Sequence, residues 1–211
     1  MESRSGRCLA TQRDFAANVG PVLSMAAFEL PQHVETLRLV LVQPSPELAQ
    51  PLADALNASY ALHHDFLTWS KPHWSVDETR ESLERGRDGL VLSGQEKRYF
   101  LLLRQCSPTV VGCIGLTPED NEADGFEVGY WVHQAYAGNG LMREALRALV
   151  VHLDQAPLRL TTSSANFASQ RLAEVVGFTC TQRIVGARRS EKFGLCDTLV
   201  YHRPTHQPPA V

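Results

Sequence analysis

Lysine is nearly missing from this chain: of its 20 basic residues only Lys71, Lys97 and Lys192 are lysines, the rest being arginine. The formal net charge is -3, which gives no electrostatic case for nucleic acid as the main partner. No apolar run approaches the ~20 residues that a membrane-spanning helix needs, so no membrane partner is expected. The five cysteines (Cys8, Cys106, Cys113, Cys180 and Cys196) are scattered, with no C-x-x-C pair. A disulfide framework and a thiolate zinc site therefore lack support, no metal is expected, and a reducing cytoplasm is the expected location. Residues 1–24 lack the apolar block of a secretory signal, and a second methionine, Met25, stands just before the first patterned segment.

What is present is enough apolar material for one sizeable core. The chain has 211 residues, 44% hydrophobic, which favours one domain with ordered or loose ends. The expected division is an N-terminal extension, partly ordered, over 1–30, a domain over 31–203 and a tail over 204–211. Alternation predicts a strand over Glu35–Gln43, stopped by Pro44-Ser45-Pro46, and then a short helix over Leu48–Leu56. The stretch Asn57–Trp74 has no clean period but carries Tyr60, Phe66, Trp69 and Trp74. Ser75 and Glu78 form a capping box that opens a polar helix to about Arg85, ended by Gly86 and Gly89.

Strands are predicted at Arg98–Gln105 and Thr109–Leu116, followed by an acidic loop over Thr117–Asp124. Phe126–Val132 reads as a strand and Leu141–Leu153 as a helix, with Met142, Ala145, Leu146, Leu149, Val150 and Leu153 on one face. A strand at Leu158–Ser163, a helix at Phe167–Val176 and strands at Phe178–Ile184 and Thr198–His202 complete the order. That order gives an α/β (α+β) sheet of mixed direction rather than a run of parallel crossover units.

Chemistry concentrates between Val132 and Leu141. Gly138 and Gly140 precede the helix, let the backbone turn tightly and leave the first-turn N–H groups free for an anion. Such a site binds a diphosphate without lysine; the alternative is a glycine turn that merely starts a helix. A phosphate loop of the Gly-Lys-Ser/Thr type fails, because no lysine follows a glycine. A G-x-G-x-x-G dinucleotide fingerprint fails at Arg143.

The segment Phe126-Glu-Val-Gly-Tyr-Trp-Val132, with Ala137-Gly-Asn-Gly-Leu-Met142 and Glu144-Ala145-Leu146, resembles the GNAT superfamily of N-acyltransferases. It looks closest to the RimJ/RimL-type branch, the ribosomal-protein N-terminal acetyltransferases. Thr36-Leu-Arg-Leu39, Asn166 with Ser169, Gly177-Phe178, and Gly194, Asp197 and Tyr201 fit the same pattern. The matches span roughly 35–202.

The resemblance implies a GNAT-like domain whose central mixed sheet is splayed after strand 126–132 and flanked by helices, with acetyl-CoA as acyl donor. It implies pantetheine against Trp131 and Val132, pyrophosphate on Gly138, Asn139, Gly140, Leu141 and Met142, and a pantetheine contact from Asn166. Ala137 stands where the family's loop usually opens with Gln or Arg, so Arg143 is a candidate substitute.

For the amine, the resemblance points to Glu127 as a base acting through water; the alternative is a strand carboxylate paired with an arginine. For the thiolate, Ala173 occupies the position of a frequent tyrosine acid, which leaves Ser169. Trp69 and Trp74 are expected to border the acceptor pocket, or else to pack in the core. Adjacent His63 and His64 point apart on any regular element and suggest no metal site. Cys113 is expected to be buried and inert. Arg188, Arg189 and Lys192 read as a solvated hairpin tip, or as partners of the CoA 3′-phosphate or an acidic acceptor.

The expected function is acetyl transfer to a primary amine, a protein N-terminus or a small molecule, in a ternary complex. The alternative is a non-catalytic acyl-CoA-binding module; a nucleotide-phosphate binder is more remote. The resemblance also raises a homodimer through the edge of the final hairpin.

Overall fold

The computed structural model describes residues 30–89, 95–104, 108–119, 125–153 and 156–205. Most of the N-terminal extension, the turn before Pro108, most of the acidic loop and the last residues of the tail lie outside these.

Eight strands form one sheet: β1 (His33–Glu35), β2 (Leu39–Val42), β3 (Lys97–Leu103), β4 (Val110–Pro118), β5 (Phe126–Val132), β6 (Leu158–Ser163), β7 (Thr179–Ser190) and β8 (Gly194–Arg203). Their order across the sheet is β1-β2-β3-β4-β5-β6-β8-β7. All neighbours are antiparallel except β5 and β6, which run parallel. The helices are α1 (Ala49–Ala58), α2 (Tyr60–His63), α3 (Val76–Gly89), α4 (Leu141–His152) and α5 (Phe167–Val176).

Alternation along the strands, interrupted by a register shift at Leu101/Leu102, sends apolar side chains to both faces, and each face has its own core. On one face, Leu39, Leu41, Tyr99, Leu101, Ile114 and Val128 pack with Leu146 and Leu149 of α4 and Ala173 and Val176 of α5. On the other, Phe100, Val110 and Cys113 pack with Leu52, Leu56 and Leu83 of α1 and α3. Each fully buried leucine removes enough apolar surface to contribute about 1.5–3 kcal/mol.

Three expectations are corrected. The single strand over Glu35–Gln43 is a tight hairpin of β1 and β2, because Thr36 donates its N–H and hydroxyl to the Leu39 carbonyl and turns the chain. The helix from Ser75 does not end at Gly86. A Cβ at Gly86 would collide with the Arg98 guanidinium, which donates to the Ser82 carbonyl at 2.5 Å, so this glycine makes room for a strand-to-helix contact. The last two strands form a hairpin reaching Ser190 and Gly194, much longer than predicted, with Arg188 inside a strand rather than at the tip. The capping box forms as read: Ser75 N–H donates to Glu78 Oε2 at 2.8 Å, and Glu78 N–H to Ser75 Oγ at 3.2 Å.

The parallel pair is the feature that positions the site. β5 and β6 pair only at Phe126↔Leu158 and Glu127↔Arg159, while β6 stays paired with β8 through Ser163. From Val128 onward the two strands diverge, and the sheet is splayed.

Candidate active site

A cleft of about 760 Å³ opens where β5 and β6 part. Trp131, Val132, Gly138, Asn139, Gly140, Leu141, Met142, Asn166 and Ser169 all line it, so one groove gathers the whole set expected from the loop and the Asn-x-x-Ser segment.

At its mouth the loop does what two glycines permit. Gly138 and Gly140 have φ of 78° and 75°, left-handed values that cost a side-chain-bearing residue about 1–2 kcal/mol. A Cβ on Gly138 would meet nothing within 4 Å, so the loop is open to a ligand there. Gly140 is the cap of α4, whose first-turn N–H groups face the cleft mouth with the helix dipole behind them.

Two arginines stand beside the loop that Ala137 opens. Arg143 lines the cleft, and the ends of Arg143 and Arg38 lie 3.5 and 3.7 Å from where a Gly140 Cβ would stand. Arg38 is held by the Asn139 carbonyl at 3.0 Å and by Glu144 Oε2 at 2.7 Å. Glu144 Oε1 in turn accepts from Thr36 Oγ1 at 2.6 Å and Arg38 N–H at 2.8 Å. Burial pushes the Glu144 carboxyl upward, but these hydrogen bonds and the guanidinium outweigh it and hold its pKa below the usual carboxylate range. The hairpin turn of β1 and β2 is thereby fastened to the loop.

Deeper in the cleft, Asn166 Oδ1 accepts the Ser169 N–H at 3.1 Å and caps α5. Ser169 Oγ lies 2.9 Å from the Tyr130 hydroxyl, which also donates to the Ser169 carbonyl at 3.2 Å. Burial raises the Tyr130 phenol to about 12, so it keeps its proton. Tyr130 was missed as a site residue; alternation along Phe126–Val132 could have revealed it, since it points opposite to Glu127 and Trp131. Ala173 is buried in the core and offers no acid.

Glu127 lies apart from these hydroxyls. Its Oε2 accepts from Arg159 at 3.1 Å and its Oε1 from Thr161 at 2.8 Å; Thr161 Oγ1 also accepts from Arg188 at 3.0 Å.

A second cavity of about 360 Å³ lies under α1 and α3, lined by Trp69, Trp74 and Trp131 among others. It shares Leu67, Tyr130 and Trp131 with the cleft, so the two meet across β5. Trp69 and Trp74 stand edge to face with centroids 6.3 Å apart.

The histidines do point apart: His64 is exposed, while His63 is buried and its Nε2 sits 2.9 Å from the Val132 carbonyl. A carbonyl only accepts, so Nε2 carries the proton and the ring is neutral, its pKa lowered by burial. Cys113 is buried, and burial raises its thiol to about 12, which disarms it as a nucleophile. Among the described residues no group of His, Cys, Asp and Glu side chains could hold a metal ion.

A splayed mixed sheet with a glycine anion loop at the mouth of the splay is the architecture of a CoA-dependent acyltransferase. Residues 38–179, well over half of the chain, match the family model described as acetyltransferase (GNAT) domain, and the chain belongs to that family. Solved structures similar to it include RimL, the ribosomal L7/L12 alpha-N-protein acetyltransferase, in complex with coenzyme A. That likeness has 20% identity and a TM-score of 0.72, covering 83% of this chain and 97% of the other. The microcin C7 self-immunity acetyltransferase MccE, in complex with acetyl-CoA and AMP, aligns at 15% identity and a TM-score of 0.70, over 80% and 93% of the two chains. A ribosomal-protein-serine acetyltransferase from Vibrio cholerae, so assigned provisionally, aligns at 22% identity and a TM-score of 0.63, over 81% and 95%. No curated protein sequence matches the chain.

Proposed function

We propose that this chain acetylates a primary amine by direct attack in a ternary complex. The observation that carries the reading is that the cleft and the tryptophan-lined cavity meet across β5, with the Tyr130–Ser169 hydroxyl pair beside the junction. Acetyl-CoA supplies the acyl group as an activated thioester. The loop 138–142, with Arg143 and Arg38 beside it, holds the diphosphate; Trp131, Val132 and Asn166 hold the pantetheine arm. Ser169, backed by Tyr130, delivers a proton to the departing sulfur. Glu127, paired with Arg159 at 3.1 Å, takes the amine proton through water. With the Cys113 thiol protonated, nothing favours an acyl-cysteine intermediate.

The acceptor is a protein N-terminus or a small amine entering past Trp69 and Trp74. The domain runs over 31–203, which encloses the matched residues 38–179, and a cytoplasmic location suits the free cysteines Cys113, Cys180 and Cys196. Self-association through the exposed edge of β7 is part of the same proposal and is checked by sedimentation.

The test is thiol release from acetyl-CoA across a panel of primary amines. Release that depends on the amine is expected. Release no faster than the amine-free background, with CoA still bound, leaves only the binding module.

A further inference from the structure

The tryptophan-lined cavity has an unusual floor. Gly115 of β4 and Gly129 of β5 are paired directly across the ladder, so two adjacent strands present bare backbone to the same face. On one side of this window lies the row Phe100, Cys113 and Trp131; on the other lie Thr117 and Glu127. A Cβ on Gly129 would meet nothing within 4 Å, so the space above it is free. Above Gly115 one group intrudes: a Cβ there would collide with Glu96 Oε1. The carboxylate of Glu96 lies on the glycine at the rim of the cavity that Trp69, Trp74 and Trp131 also line, with its side chain 48% exposed.

This carboxylate is poorly spent within the protein. Arg98 Nε is 3.8 Å from Glu96 Oε2, a loose pair, because Arg98 Nη1 and Nη2 are turned to the Ser82 hydroxyl and carbonyl at 3.1 and 2.5 Å. Among the described residues no donor bonds Oε1. The rest of the lining includes Leu52, Leu56, Leu67 and Phe100 beside the indoles, with Thr79, Ser82 and Arg98 among its other polar members, the Arg98 guanidinium being engaged by Ser82. Indole faces and a carboxylate with an open oxygen together select a cation with an apolar body. At about 360 Å³ the cavity holds roughly a dozen non-hydrogen atoms, taking about 30 Å³ for each as for a liquid water.

We infer that Glu96 is the specificity-determining carboxylate of the acceptor subsite: it receives the ammonium group of a primary amine whose apolar or aromatic body lies between the indoles above the Gly115–Gly129 window. The inference rests on the acyl-transfer reading for calling this cavity the acceptor subsite, but its recognition chemistry is tested separately.

The experiment is calorimetric titration of the protein, with and without CoA, by 2-phenylethylammonium and by 2-phenylethanol, which has the same body without the charge. Wild type is expected to favour the cation about ten-fold, as one charge-assisted contact allows. Glu96→Gln removes the preference. Gly115→Ala weakens it without changing charge, because the added methyl displaces the carboxylate from the window. Glu81→Gln, an equal charge change on the exposed face of α3, leaves it intact. Equal binding of the two probes by wild type, or a cation preference that survives Glu96→Gln, overturns the inference. Failure of CoA to raise the melting temperature strikes instead at the acyl-transfer reading, and the CoA-free titration still decides the role of Glu96.

Discussion

At the residue scale, the site depends on a few positions whose backbone or ring chemistry leaves no alternative. Gly140→Ala forces a side chain into a left-handed conformation at the cap of α4, with an expected cost of about 1–2 kcal/mol. Chemical denaturation measures that cost, and CoA titration should show weaker binding in the same variant. Ser169→Ala and Tyr130→Phe each remove one hydroxyl of the pair, so both should lower kcat while the CoA dissociation constant stays near wild type. An unchanged kcat in Ser169→Ala would remove the proton-delivery role. His63 has a pKa lowered by burial from an unfolded value of 6.5, so the unfolded chain binds its proton first. Stability from this residue is complete above pH 6.5 and is lost as the pH falls through the folded value. Melting curves between pH 7.5 and pH 5 should fall more steeply for wild type than for His63→Gln; His133, shifted the same way, stays as a background slope in both.

At the scale of elements, the links between segments matter more than the segments. The Glu144 carboxylate ties α4 to the turn at Thr36 and Arg38, and its pKa lies below the unfolded 4.5. That contribution is present above pH 4.5 and disappears on acidification below it, so Glu144→Gln should flatten the acid limb of the stability curve. The same variant should weaken CoA binding, because Arg38 loses the group that aims it at the loop. These links explain what sequence reading reached and what it did not. Periodicity alone marked Phe126–Val132, Leu158–Ser163 and Phe167–Val176 with their bounds, because one core face dominates each. The glycine loop was legible since only backbone geometry was needed. Arg38 and Glu96 stayed hidden, because their places arise from partners far along the chain, Arg38 from Glu144 and Glu96 from Gly115; Tyr130 was within reach of strand alternation, but its partner Ser169 stands on α5. Glu127 showed the reverse. Its place on the strand was readable, but Arg159 and Thr161, which engage both its oxygens, come from the neighbouring strand. The length of the β7–β8 hairpin escaped notice because its outer half is mostly exposed and lacks apolar alternation.

For the whole molecule, the proposed function puts CoA in a gap between two portions of one sheet, so its binding energy becomes folding energy. At a hundred times its dissociation constant, CoA should add about 2.7 kcal/mol and raise the melting temperature by roughly 5–10 °C. Scanning fluorimetry checks this, and nucleoside triphosphates should give a smaller shift. The narrow junction at Phe126↔Leu158 and Glu127↔Arg159 has a further consequence. Among the described residues two rungs of ladder join the β1–β5 meander to the β6–β8 unit, beside the packing of α4 and α5 and side-chain links such as Arg159 to Glu127 and Phe193 on Phe66. So thin a backbone junction predicts that the antiparallel meander and the β6–β8 unit open separately, although one core cluster touches both. Amide protons of β6 and β8 should exchange by a separate, lower-energy opening than those of β3 and β4. A ligand lying in the splay should merge the two openings into one, acting as the missing rungs of the sheet.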